Sequence, residues 1–475
     1  MGQEIASTHF SPEDFERFLQ RLNQETELLD ERIQSGVCSV RAPTGGLELE
    51  AWLVDESMRP VPRNAEFLAV FDHPCASPEL AKFNVEFNHP PFRLQGNAFS
   101  SLHTRLECLW KEACETATGL GVHLLAIGIL PTLRENDLGL EQLSSLNRYE
   151  ALNEQIFLAR RQRPIRLDIV GREHLHGERQ DVMLEAATTS FQLHLQVPSD
   201  KVVAYYNGAQ LASAPSVGIS GNSPFLFGHN LWTETRIPLF EQSVDAGGYQ
   251  DAARGPLHRV GFGTDYVRRS MIEVFRENAT HFPVLLPTLF PDAPEALSHL
   301  RLHNGTIWRW NRPLVGFDED GTLHLRVEHR VIPAGPTIAD MVANAVFFFG
   351  LVEGLVTEMN VERVPFASAR DNFYDAARLG LAAHAVWFGG ERWRMRRLIL
   401  KHLLPLAERG LSQLGIDPQD AGHYLGIIEA RAASGQTGSV WQRSFMARHP
   451  QDFAPMMRSY LDLQREGEPV HLWPL

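Results

Sequence analysis

Lysine is almost missing from this chain. Positive charge comes nearly all from arginine, and Lys82, Lys111, Lys201 and Lys401 are the only lysines. None of them sits in a G-K-[ST] setting, which excludes a phosphate-binding loop of the Walker type. Cysteine is also sparse: Cys38, Cys75, Cys108 and Cys114 show no C-x-x-C spacing and no paired histidines nearby. A disulfide framework and a zinc site are therefore not expected, and reduced thiols are. Basic residues fall short of acidic ones, 44 against 58, for a net charge of −14. That balance argues against nucleic acid or an anionic membrane as partner. The opening "MGQEIASTHF" has no basic segment leading into an apolar one, so a cytoplasmic location is expected. The most apolar stretch, "AVFFFGLVEGLV", is interrupted by Glu353 and reads as too short to span a bilayer.

What is present is an ordinary globular composition, 44% hydrophobic and 21% charged over 475 residues. Ser11 is a candidate N-cap, with Pro12 at the first helical position and Glu13 and Asp14 at the positive helix start. Phe15, Phe18, Leu19 and Leu22 repeat at helical spacing, and Gly36 offers a stop. Strand-like alternation recurs between about residues 45 and 335. Residues 98–120 read as a helix, "VHLLAIGIL" (122–130) as a buried strand, and "VGISGNSPF" (217–225) as a loop. From 337 onward helices are expected over the apolar run, then 370–388, 392–414 and 419–433. The expected organisation is an N-terminal helix within 1–40, packed on a single body (41–475) with a helical C-terminal part.

Four segments share one design. In "GLELEAWLV" (46–54) Leu47, Leu49, Ala51 and Leu53 face one way, and Glu48, Glu50, Trp52 and Val54 the other. In "KFNVEFNHPP" (82–91), Phe83, Val85 and Phe87 oppose Asn84, Glu86 and Asn88. In "SFQLHLQV" (190–197), Gln192, His194 and Gln196 share the polar face. In "TLHLRVEHRVI" (322–332), His324, Arg326, Glu328 and Arg330 do. A merely wet sheet face would favour Thr, Ser and Lys. Carboxylates with one imidazole are ligands for a hard cation such as Mg²⁺ or Mn²⁺, and arginines beside them suit phosphate oxygens. Together they point to a nucleotide site built on a sheet.

In this order, "GLELEAWLVD", "NVEFN", "TSFQLHLQV" and "RVEHR" resemble family 2 of the glutamate–cysteine ligases, the carboxylate–amine ligases. "SGNSPFLFG" (220–228), "HNGTIWRWNRP" (303–313) and "NFYDAARLGLAA" (372–383) add to the likeness. The resemblance implies an α+β fold like the glutamine synthetase catalytic domain. Its large, mainly antiparallel, curved sheet carries metal ligands on one face and helices on the other. It implies ATP and Mg²⁺ (or Mn²⁺) as cofactors, with Glu48, Glu50, Glu86, His194 and Glu328 as the metal set. It implies that Arg330 faces the transferring phosphoryl group, that Arg312 binds phosphate or a substrate carboxylate, and that Asn222 and Ser223 lie near the substrate. Gln192, Asn88 and His329 depart from the family pattern.

The implied activity is an ATP-dependent ligase joining a carboxylate to an amine through an acyl phosphate. Glutamate and cysteine are the default pair, and small amino acids or amines the partners. The alternatives are another acid and amine, or an inactive nucleotide-binding regulator; self-association is left open. As one carboxylate among several, Glu328 is expected to repel its neighbours. Neutralising it should then leave the cation-free protein as stable as before or more so.

Overall fold

The computed structural model describes residues 4–247, 257–450 and 452–474. Its principal strands are β1 (Thr44–Val54), β2 (Ala76–Pro78), β3 (Asn84–Arg93), β4 (His123–Leu125), β5 (Phe191–Gln196), β6 (Asn311–Phe317) and β7 (Leu323–His329). The principal helices are α1 (Pro12–Gln34), α2 (Ala98–Gly119), α3 (Asn147–Ala159), α4 (Val202–Ser220), α5 (Ser298–Gly305), α6 (Ile338–Glu358), α7 (Phe366–Leu379), α8 (Leu404–Gln413) and α9 (Pro418–Ser434).

The strands form one curved sheet in the order β6-β7-β5-β1-β3-β2, every pairing antiparallel, with β4 joining the C-terminal end of β1. Period-two alternation turns Leu47, Leu49, Phe87, Leu193, Leu195, Leu325 and Val327 into the core. Helices α4 and α6 lie against this apolar side. The opposite side is covered as well, since Glu48 and Glu50 are both 8% exposed. β1 is thus buried on both faces and has no solvated one.

α1 begins as its residues dictate, with a reciprocal capping box between Ser11 and Asp14. It packs on the body through Phe18 against His299, and through the buried Glu25, which meets His299 Nδ1 at 2.6 Å. Three expectations are corrected. The segment 122–130 is buried but pairs as a strand only at His123–Leu125. Residues 217–220, expected in a loop, are the last turn of α4, which continues through Pro215. The small residues there serve helix contact: a Cβ on Gly208 would lie 3.2 Å from Val356, and one on Gly218 3.1 Å from Met395. Between α7 and α8 a hairpin (His384–Val386 with Arg392–Arg394) interrupts the expected helices.

The apolar run also proves longer than its interruption suggested. α6 is 21 residues long and apolar enough to cross a membrane, yet every residue from Ile338 to Leu355 is buried inside the fold. Glu353 within it accepts a hydrogen bond from Tyr205 Oη at 2.5 Å. This helix is the spine of the core.

Candidate active site

Strand register assembles the polar face. Glu50 lies opposite Glu86 across β1 and β3, His194 opposite Glu328 across β5 and β7, and Glu328 opposite Arg312 across β7 and β6. Side chains directly opposite on one face are about 5 Å apart at Cβ, so residues from five strands converge over a cavity of about 230 Å³. Acidic groups line its β1–β3 side and Arg301, Arg312, Arg326 and Arg330 its β6–β7 side.

Two clusters offer three ligands each, with the ligand atoms of each cluster all within 4.8 Å of one another: Glu48, His194 and Glu328, and Glu50, Glu79 and Glu86. In the first, His194 Nε2 lies 3.1 Å from Glu48 Oε1, and Arg326 Nε donates to His194 Nδ1 at 3.4 Å. Burial pushes the Glu48 carboxyl up, but nearby positive charge, with His194 foremost, outweighs it and holds the pKa at about 2. Glu328 is 1% exposed and gripped from two sides. Arg312 donates to both its oxygens at 2.8 Å, and Arg330 Nη1 donates to Oε2 at 2.9 Å. Burial alone would raise its pKa; the two guanidiniums hold it well below the usual carboxylate range.

Among the described residues no arginine grips the second cluster as Arg312 and Arg330 grip Glu328. Burial and the neighbouring Glu79 push Glu50 up to about 7, although Ser190 and Gln192 donate hydrogen bonds to it. Burial and the charges of Glu48 and Glu79 push Glu86 well above its ordinary value, and Glu185 follows for the same kind of reason. Carboxylates held this close are short of positive charge, so the donor set fits a hard divalent cation. Arg330 provides a matching fit for an anion. It lines the cavity, and its buried Nε has no partner, an orphan donor suited to a phosphate oxygen. Burial disfavours its charge, but Glu328 and Glu50 outweigh that and raise its pKa.

The structure therefore brings together Glu48, Glu50, Glu86, His194, Glu328, Arg312 and Arg330. It does not bring Asn222 and Ser223 to the cavity, which corrects the expectation that they lie near the substrate. Both are fully buried. Asn222 donates to Ala334 O and Tyr460 Oη at 2.8 Å, and Ser223 Oγ donates to Glu234 Oε1 at 2.7 Å. With their polar atoms committed there, they bind the loop to the C-terminal helices.

Alternation missed Glu79, just past the three-residue strand β2, and Glu185, in a short 3₁₀ turn (Glu185–Ala187). Tyr149, at the start of α3, was missed as well; it reaches the cavity and donates to Glu79 at 3.4 Å. No periodic signal marks any of the three. The departures from the family pattern find places. Gln192 bridges Glu50 and Arg330, and Asn88 donates to Glu86 at 2.6 Å. His329 points away from the site. It is fully buried, stacked on Phe348 at 4.0 Å and kept neutral by burial, with its pKa down at about 3. Of the two tryptophans in "WRW", Trp308 lines the cavity and Trp310 belongs to the core.

The sequence profile of Glutamate-cysteine ligase family 2 matches residues 44–462. No curated protein matches the sequence. Among solved structures, the chain is similar to the glutamate–cysteine ligase of Francisella tularensis in complex with AMP. The identity is 11% and the TM-score 0.53, over 92% of this chain and 90% of that one. A bifunctional glutathione synthetase from Pasteurella multocida aligns at 11% identity and TM-score 0.47, over 93% of this chain and 55% of that one. The antiparallel sheet lined with carboxylates and arginines and a family match that spans sheet, cavity and C-terminal helices lead to one conclusion: the chain belongs to glutamate–cysteine ligase family 2, and it is an ATP-dependent carbon–nitrogen ligase.

Proposed function

We propose that the protein activates the side-chain carboxylate of glutamate as an acyl phosphate and joins it to the amine of cysteine, using Mg²⁺ or Mn²⁺ with ATP. The observation that carries this reading is the pair of three-ligand clusters beside the orphan donor of Arg330. Glu48, His194 and Glu328 would hold one cation, and Glu50, Glu79 and Glu86 another. Bound there, the cations neutralise the phosphates and stabilise charge in phosphoryl transfer. Arg330 meets the oxygens of the transferring phosphoryl group, fixed for that task by Glu328 and Gln192. Arg312 holds Glu328 in one orientation from the neighbouring strand. The substrate carboxylate attacks the terminal phosphorus and ADP leaves. The amine then attacks the acyl carbon, phosphate departs, and the amine gives up its proton.

The test is ADP release with Mg²⁺ and ATP, first with glutamate and cysteine, then with every amino acid as acid against a panel of amines. Mass spectrometry of the product identifies the amide. Turnover with glutamate and cysteine supports the pair; turnover only with other partners retains the ligase and replaces the substrates. Undiminished ATP binding in excess chelator overturns the cation-bridged site.

A further inference from the structure

A second cavity, of about 270 Å³, lies on the far side of the Trp308–Asn311 segment and shares no lining residue with the active-site cavity. Trp308 lines one and its neighbour Arg309 the other. Glu241 reaches it from the helix Arg236–Ser243. Among the described residues this carboxylate has no ion-pair partner. Its Oε1 accepts from Trp310 Nε1 at 2.8 Å and from Tyr374 Oη at 2.7 Å, both neutral donors. The nearby His258 faces Asp245 instead, at 3.4 Å. A half-buried carboxylate with only neutral donors is short of a cation, and burial pushes its pKa up to about 7.

The same cavity holds an incompletely used guanidinium. Arg309 is 5% exposed. Its Nη2 donates to Asn278 at 2.8 Å and Glu277 at 3.1 Å, while its Nε has no partner. Arg370 lines the cavity too, and among the described residues its one ion pair is with its exposed chain neighbour Asp371. Phe262, Phe282 and Tyr374 supply aromatic wall. A cavity of about 150 Å³ holds benzene, with its six non-hydrogen atoms, so this space suits a molecule of roughly ten, the size of an amino acid.

We propose that this cavity is a second binding site, separate from the ligase centre, for a free amino-acid zwitterion, with its ammonium on Glu241 and its carboxylate on Arg309 and Arg370. The ammonium provides the cation that Glu241 lacks and sits against aromatic faces that favour it. The carboxylate takes guanidinium donors that the protein leaves open. The site goes beyond the ligase reading and does not rest on it.

Calorimetry on the full chain in EDTA without nucleotide tests it, with the free L-amino acids, their methyl esters and their N-acetyl forms as probes. At least one free amino acid should bind, with a tenfold or greater loss on capping either end. Glu241→Gln should weaken that binding tenfold or more, and Glu48→Gln, in the other cavity, should not. The proposal is overturned if no free amino acid binds, or if capped forms bind as well as free ones. It is equally overturned if binding survives Glu241→Gln, or is lost in Glu48→Gln with Glu241→Gln unaffected. Should Glu241→Gln fail to fold, the capping series on the unaltered protein and the exposed Arg370→Gln decide: unchanged binding in both overturns it.

Discussion

Neutralising Glu328 separates a carboxylate held by arginines from a carboxylate held among acids. Glu328→Gln leaves one oxygen where two accepted three charge-assisted hydrogen bonds, and turns an amide NH₂ toward a guanidinium. Arg312 and Arg330, with side chains 11% and 12% exposed, then lose their shared counter-charge. Breaking a buried pair in this way costs about 3–5 kcal/mol. For a chain of this length the unfolding entropy is about 1 kcal/mol per kelvin, so the melting temperature should fall by roughly 3–5 °C. Glu86→Gln should do the opposite. It removes a charge repelled by Glu48, Glu50 and Glu79, while its oxygen can still accept from Asn88. Its stability in EDTA should hold within about 0.5 kcal/mol or rise. Both variants should lose Mg·ATP stabilisation and ADP release. Paired thermal melts in EDTA and in Mg·ATP measure both effects. A Glu328→Gln protein that melts at or above the unaltered temperature in EDTA refutes the clamp, and full ADP release in either variant refutes the ligand assignment.

Three further outcomes are expected. Arg330→Lys should retain cation binding by calorimetry but slow ADP release at least tenfold, because an ammonium cannot reproduce a planar fork bonded to both Glu328 and Gln192; unchanged turnover would remove Arg330 from the chemistry. Glu50 has its folded pKa raised to about 7, so between about pH 4.5 and 7 the folded state binds more protons than the unfolded one. Stability in EDTA should therefore fall as pH rises through that window, and Glu50→Gln should flatten the slope in chemical denaturation; equal slopes would contradict the shift. Replacing Cys38, Cys75, Cys108 and Cys114 singly by Ser or Ala should leave turnover within about threefold, since all four are free thiols outside the cavity and burial pushes Cys114 up to about 12; complete loss in one well-folded variant would point to covalent catalysis.

The sequence by itself determined what is local. Period two along 46–54, 82–91, 190–197 and 322–332 assigned each side chain to a face, and Ser11-Pro12 set the start of α1, because alternation and capping depend only on near neighbours. The same logic supplied five metal-ligand candidates, and the structure gathers all five. What depends on register between distant strands could not be read. Glu328 was expected to be one repelling carboxylate among many. The pairing of β6 with β7 places Arg312 opposite it and reverses the sign of its contribution to stability. Glu79, Glu185 and Tyr149 reach the cavity from a strand end, a 3₁₀ turn and a helix start, where no period exists to mark them. The family resemblance implied a place near the substrate for Asn222 and Ser223. Only the packing of the C-terminal helices decided that their polar atoms are used up inside the protein. Side-chain direction is written in the chain one residue at a time; who stands opposite is settled only when the sheet closes.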